Sequence, residues 1–350
     1  MLSQSDNKLL TKALKWLSAE LPFVVYQNPN DNVLQGVFQA DASLKTADDL
    51  KTPGFLFAPF EEDGDKILLI GEYQKEVIPH IEVQKREKEV TFSDEGKPFH
   101  IKLVRNAIKG IKEENLKKVV VSRCIDVATE QPPLLIFRAL LIKYPLAFRY
   151  WWYHPKVGMW FGATPERLLQ YQDGAVFTTS LAGTLPVLNK EKPSWTSKER
   201  EEQQMVTDYI VQNLKGKLTN LNITGPDTIK AGKLWHLRSV VGGNLNSFND
   251  LGTVVKSLHP TPAVCGLPRK DAMEYILKHE GYPRQYYTGY LGPVHLDKKE
   301  HINLFVNLRC FKYSSGTAQV FVGGGITANS NPEKEWLETQ YKSGTILEVL

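Results

Sequence analysis

Apolar residues recur along this chain with two periods. Leu9, Leu10, Ala13, Leu14 and Leu17 fall at helical spacing within residues 8–21, and Pro22 stops the pattern. The short runs FVVYQ, GVFQA, GFLFAPF and KILLIG that follow predict strands. A second helical stripe runs through Ile101, Val104, Ala107, Ile108 and Ile111, ahead of a strand KVVVSRCIDV and a helix PLLIFRALLIKY. Six later runs, AFRYWWYH, GMWFGAT, AVFTTSLAG, YYTGYLGPV, INLFVNLRCF and AQVFVGGGI, are strand-like and several are joined by short turns. The pattern predicts an α+β fold of large antiparallel sheets packed face to face with helices outside. Regular strand–helix alternation is absent, and GGGI at 323–326 lacks the GxGxxG spacing, so a doubly wound nucleotide fold is not expected. The charged stretch IEVQKREKEVTFSDEGKP, residues 81–98, reads as the linker. It divides an N-terminal α/β segment, 1–95, which adds strands to the same fold, from the main domain at 96–350.

Composition narrows the classes. The 350 residues are 42% hydrophobic and 10% aromatic, enough for a large core. Lys and Arg exceed Asp and Glu by only 43 to 39, without basic blocks, so nucleic acid is not the expected partner. Cys124, Cys265 and Cys310 form no CxxC pair, which predicts neither disulfides nor a zinc site and suits the reducing cytoplasm. The N-terminus lacks a signal-peptide pattern and the longest apolar run, LLIFRALLI, is short and broken by Arg138, so neither export nor a membrane span is expected.

Several charged residues sit where decoration does not explain them. The last helix is framed by Asn331 as cap and Pro332 at its first position, which puts Glu335, Glu338 and Lys342 in one arc of roughly 60° and Leu337 and Tyr341 on another face. That arc is either a solvated stripe with a Glu338–Lys342 pair or a functional face turned to the glycines of GGGI. In the helix that begins near Ser197, Met205, Val206, Tyr209 and Ile210 mark a buried stripe that Glu202 extends by one turn. An inward carboxylate there needs a cation, a hydrogen-bond partner or a metal, unless Glu202 is only a first-turn acid at the helix dipole. Glu166 follows the strand end FGATP, as a rigid sheet-rim acid or as a helix first-turn residue. Lys117 and Lys118 lead into VVVSR, where one must lie at the strand edge or inside, snorkelling or poised as a base. Arg309, among apolar residues in NLFVNLRCF, needs an anion, and His236 in LWHLRS reads first as a core histidine.

The ordered set KVVVSR, FGATPERLL, SLAGTLP, LWHLRS, LHPTPAVCGLP, GYLGPV, LRCF, VGGGI and EKEWLETQYKS resembles the chorismate-utilising enzymes over residues 96–350, and within them most resembles the isochorismate synthases. The first 95 residues resemble the family only loosely. The resemblance implies a chorismate-binding catalytic domain with Lys118 as general base and Glu166 as general acid. It implies Mg²⁺ held by Glu202 and Glu338, with Glu335 beside it through water. Arg309 and Lys342 would hold substrate carboxylates, and His236, Gly183, Thr184, Ala263 and Gly323 would line the pocket. The implied reaction is attack of water on C2 of chorismate with loss of the C4 hydroxyl, giving isochorismate for menaquinone or siderophore synthesis.

Departures within the motifs refine this. Ala182 in SLAGT stands where aminating relatives with a covalent lysine carry PIKGT, and Ala263 in PTPAVCG stands where pyruvate-eliminating or ammonia-adding relatives have Thr. No LLES-like inhibition motif is visible. Water is therefore the expected nucleophile, no glutaminase subunit is expected and the chain is expected to act as a monomer. A salicylate synthase, and less so an aminating enzyme, remain the alternatives. Gln203 and Gln285 replace the His and Glu common in the family.

Overall fold

A computed structural model describes residues 7–47, 49–78, 90–113, 116–187, 191–231, 234–298 and 300–350. Much of the expected linker, residues 81–89, lies outside them.

Helix α1 (Lys8–Ser18) starts at Asn7, whose side chain accepts the Leu10 amide. Strands β1 (Phe23–Gln27), β2 (Val33–Phe38), β3 (Gly54–Ala58), β4 (Ile67–Leu69) and β5 (Glu72–Val77) complete the N-terminal segment. Next come α2 (Lys97–Glu113), β6 (Lys118–Ala128), α3 (Pro133–Lys143), β7 (Phe148–His154), β8 (Gly158–Thr164), β9 (Arg167–Gln172) and β10 (Ala175–Pro186). The remainder is α4 (Ser197–Leu214), β11 (Leu218–Ala231), β12 (Leu234–Leu245), α5 (Leu251–Leu258), β13 (Gly266–Leu267), α6 (Arg269–His279), β14 (Tyr290–Val294), β15 (His301–Val306), β16 (Cys310–Ser314), β17 (Thr317–Ile326) and α7 (Pro332–Leu347).

The strands form two antiparallel sheets, ordered β13-β6-β17-β16-β8-β7-β1-β2-β5 and β11-β12-β10-β9-β15-β14-β3-β4. The α+β expectation holds. The N-terminal strands enter both sheets: β1, β2 and β5 the first, β3 and β4 the second. Alternation along each strand builds the layers. In β3, Phe55 and Phe57 point into an aromatic layer between the sheets with Tyr26, Phe148, Trp152 and Trp160, while Leu56 and Ala58 face the outer core under α4 and α5. Helices α1, α3 and α7 pack on the outer face of the nine-stranded sheet. No helix among the described residues is long and apolar enough to cross a membrane.

Three elements differ from the pattern-based expectation. INLFVNLRCF is not one strand: it breaks at Asn307–Leu308–Arg309 between β15 and β16. YYTGYLGPV becomes strand only at Tyr290, because Tyr286 to Gly289 form a turn with Thr288 at φ +61°. The hairpin β11–β12 is long, but its outer strand LTNLNITGPDTIKA is a polar sheet edge that carries little hydrophobic signal.

Candidate active site

At one end of the molecule β6 and β17 of the first sheet face β10 and β12 of the second, and α4 and α7 bring charged side chains into the space between. The cavity there measures about 100 Å³, several times what one buried water needs. Glu166, Gly183, Thr184, Glu202, His236, Ala263, Arg309, Gly323, Glu338 and Lys342 all line it. Lys118 and Glu335 are not part of that lining: Lys118 is joined to it by its ion pair with Glu202, and Glu335 pairs with Lys198.

Glu166 sits between β8 and β9, not in a helix. Its amide donates to Thr164 Oγ1 (3.3 Å), its carbonyl accepts from Val306 N–H (3.0 Å), and Thr164 Oγ1 donates to Val306 O (2.6 Å). Pro165 and these bonds fix the side chain at the sheet rim. The residue is 4% exposed, and burial raises its carboxyl to about 8 against the opposing charges of Lys118 and Lys342. At neutral pH it is an acid that still carries its proton.

Lys118 opens β6 and is fully buried. Its Nζ lies 2.9 Å from Glu202 Oε1. Burial favours protonation of Glu202, but the charge and hydrogen bond of Lys118, with Lys342 and Lys198, prevail and hold it below the usual carboxylate range. The pair is admitted by Gly325: a Cβ there would sit 2.7 Å from Glu202 Oε1 and 2.9 Å from Lys118 Cε. The buried stripe of α4 differs slightly from expectation. It runs through Gln203, Val206, Thr207, Ile210 and Leu214, while Met205, Tyr209 and Glu202 are half-buried on its flank. Gln203 is therefore the inward residue. Its Nε2 donates to Thr207 and Ser239 hydroxyls at 2.9 Å, tying α4 to β12 and aiming Glu202 at the cavity.

On α7, Glu335 is 2% exposed and pairs with Lys198 (3.1 Å), and Glu338 pairs with Lys342 (2.8 Å). Burial, then the neighbouring Glu338 charge, raises Glu335. A Cβ on Gly324 would meet Glu335 Oε2 at 3.5 Å and Glu338 Oε1 at 3.9 Å. Three carboxylates thus converge on the bare backbone of Gly324–Gly325. Among the described residues no three His, Cys, Asp or Glu side chains are gathered tightly enough to form a ready-made metal cage. Mg²⁺ does not need one, since it binds through one or two carboxylates and keeps water or substrate oxygens. An oxygen-only donor set with two mutually repelling carboxylates fits such a cation.

Arg309 lies in the break after β15 with φ +47°, a strained conformation for a non-glycine residue. Burial lowers its guanidinium to about 10. Its NH2 donates to His236 Nε2 (3.0 Å), which fixes the histidine tautomer: Nδ1 carries the hydrogen and points at Gly183 O (3.2 Å) and Thr184 Oγ1 (3.2 Å). Burial, Arg309 and Lys342 hold His236 well below its ordinary value, so it is neutral. It is a pocket residue bracing Arg309, not the core histidine first expected. Gly183 takes φ +75° at the bulge that presents its carbonyl. Lys342 Nζ also donates to Gly323 O (2.9 Å). The cavity therefore holds a protonated acid, a carboxylate paired with a buried lysine, and the cations Arg309 and Lys342, a match for a small polyanion.

Sequence patterns missed Tyr287, Thr288, Leu181 and Phe321, which also line the cavity. They also missed what holds the first two. Buried Arg284 donates to Glu280, to Val120 O (2.7 Å), to Val264 O (2.8 Å) and to Thr288 Oγ1 (3.2 Å), clamping three wall segments together. The signal was an arginine and a glutamate four residues apart in EGYPR, indistinguishable in one dimension from a surface pair. Gln285 does not line the cavity; its Oε1 accepts from Lys312 (3.1 Å).

The family model described as "Chorismate binding enzyme" matches residues 65–350, beginning ahead of the boundary expected near 95. The isochorismate synthase MenF of Escherichia coli (strain K12) is 30% identical over 71% of this chain and 59% of its own length. The isochorismate synthase EntC of the same organism is 31% identical over 66% and 62%. The chain thus spans about three fifths of these relatives. A putative 2,3-dihydroxybenzoate-specific isochorismate synthase, DhbC, from Bacillus anthracis superposes with a TM-score of 0.81 at 22% identity, covering 97% of this chain and 99% of that one. Anthranilate synthase component I from Streptococcus pneumoniae superposes at 0.69 and 19%, covering 93% and 92%. The architecture is shared between enzymes of different product, so it does not by itself choose an activity. With its family model matched over most of its length, the chain belongs to the chorismate binding enzymes.

Proposed function

We propose that this chain is an isochorismate synthase that converts chorismate to isochorismate with Mg²⁺. The observation that carries this is Glu166, a buried carboxyl that keeps its proton to about pH 8, sharing one cavity with Glu202, which Lys118 pairs from behind the wall. Arg309, braced by neutral His236, and Lys342 receive substrate carboxylates from different walls. With Glu202 engaged elsewhere, Lys118 gives its ammonium proton to solvent and, as the neutral amine, takes a proton from the water that attacks C2. Glu166 gives its proton to the departing C4 hydroxyl as the ring double bonds shift. One water enters and one leaves, so the reaction is an isomerisation, and solvent returns a proton from Lys118 to Glu166. When bound, Mg²⁺ supplies positive charge at a substrate carboxylate; Glu338 and Glu202 would hold it, with Glu335 alongside.

Ala182 lines the cavity and offers no amine for a covalent aminating route. We take 96–350 as the catalytic unit, with 1–95 supplying strands to both sheets, acting as a monomer without a glutaminase. Three free cysteines suit a reducing cytoplasm. The test is product identification after incubation with chorismate and Mg²⁺. Isochorismate alone supports the assignment, salicylate plus pyruvate replaces it with a salicylate synthase, and unconsumed chorismate rejects it.

A further inference from the structure

Beyond Pro165 and Arg309, which line both spaces, lies a second cavity of about 750 Å³. Lys143, Arg167, Lys230, Arg238 and Arg309 line it and no carboxylate does. Acids outside the lining stand beside two of these cations. Glu348 is 3.6 Å from Lys143 Nζ, and Asp227 is 4.0 Å from Arg238 in a largely exposed pair, a kind of contact that contributes little. Arg167 has neither an ion pair nor a guanidinium hydrogen bond among the described residues; its contact is the ring of Phe305, 5.5 Å away. The Nε atoms of both Arg167 and Arg238 are buried without a partner. Burial and the charge of Arg238 together depress Arg167. Two guanidinium groups with buried, unpartnered Nε atoms thus line the same open space, an arrangement that a bound anion relieves.

The placement follows from the strand. Successive residues at the start of β9 point to opposite sides, so holding Glu166 in the active site turns Arg167 into this second cavity. Phe177, Ile229, Val240 and Phe305 give it apolar walls. Its volume is in the range of small-molecule sites, ~300–1,000 Å³.

We propose that this cavity is a binding site for a small ring compound bearing a carboxylate, gripped by Arg167 and Arg238 with its ring against the apolar wall. The occupant is either substrate on its way past Arg309 or a separate aromatic acid whose charge acts on Arg309 from behind. The test uses benzoate and the Mg²⁺-supplied full chain, followed by calorimetric titration. Saturable binding is expected, weakened at least ~10-fold in Arg167→Gln/Arg238→Gln, as loss of charge-assisted bonds requires. Arg167→Lys, which keeps charge without the planar fork, should fall between, and circular dichroism should show all variants folded. No saturable binding, or equal affinity in the double variant, overturns the proposal. If the double variant also lowers kcat/KM for chorismate and flattens its salt dependence, the occupant is incoming substrate. If it abolishes only an effect of benzoate on turnover, the occupant is a separate ligand. Benzoate binding needs no turnover, so it is decided independently of the proposed activity.

Discussion

Glu166→Gln should inactivate the enzyme and stabilise the protein, and the stabilisation should depend on pH. The carboxyl rises from 4.5 to about 8 on folding and is 4% exposed, so solvent screening does not dilute the effect. A raised value means that the stability of the folded state is fully present below about pH 4.5 and is lost as pH climbs towards 8. At ~1.36 kcal/mol per pKa unit, the wild type forfeits about 3 kcal/mol at pH 7 and about 5 kcal/mol above pH 9, but well under ~1 kcal/mol near pH 4.5. Glutamine keeps the shape and cannot ionise, so it recovers those amounts. For a chain of this size each kcal/mol moves the thermal midpoint by roughly 2 °C. The variant should therefore melt roughly 6 °C above wild type at pH 7 and close to it at pH 4.5. Its turnover of chorismate should drop by ~10²–10⁴, the usual worth of a general acid. Wild-type kcat/KM should itself fall about tenfold per pH unit above pH 8, as the acid loses its proton. A variant no more stable than wild type at pH 7 to 8, or a gap indifferent to pH, would refute the protonated buried acid.

Lys118→Ala should lose ~10²–10⁴ in turnover with the fold retained by circular dichroism; near-normal chorismate consumption would remove Lys118 from the mechanism. Gly325→Ala places a methyl 2.7 Å from Glu202 Oε1 and 2.9 Å from Lys118 Cε. Displacing that pair by about 1 Å should lower kcat on the order of 10²-fold, and full activity would mean that its geometry is not critical. Glu338→Ala should weaken Mg²⁺ binding in calorimetry by more than the ~10-fold that losing an outer partner costs, and undiminished affinity would contradict the ligand role.

Element types were legible where burial is one- or two-sided in a simple way. The FVVYQ, GFLFA and VVVSR strands are buried over most or all of their length and read as continuous apolar runs. The cap of α7 was equally plain: Asn331 accepts from Lys334 N–H at 3.1 Å, and Leu337 and Tyr341 point outward as the helical phase requires. The break at Asn307–Arg309 was not legible. A strand and a strand interrupted by one left-handed arginine have the same apolar pattern, and only the two sheets pulling β15 and β16 apart decide it. The residue pattern left His236 ambiguous for a related reason, since an inward histidine looks the same whether its partner is a core carbonyl or an arginine from another strand; only the resemblance implied a place in the pocket lining.

The sequence by itself singled out the candidate chemistry-bearing residues and put Glu335, Glu338 and Lys342 on one face of their helix, because helix phase is local. It also carried, through the order of its motifs, the family. Only the tertiary structure decided who meets whom. Glu202 comes from α4, Lys118 from β6, Glu166 from the rim of β9 and Arg309 from a kink between sheets, and their charges and protons acquire meaning only across those contacts. The same strand step that fixed Glu166 in one cavity set Arg167 in another. Pairing energies and desolvation depend on distance in space, and a sequence records distance along the chain.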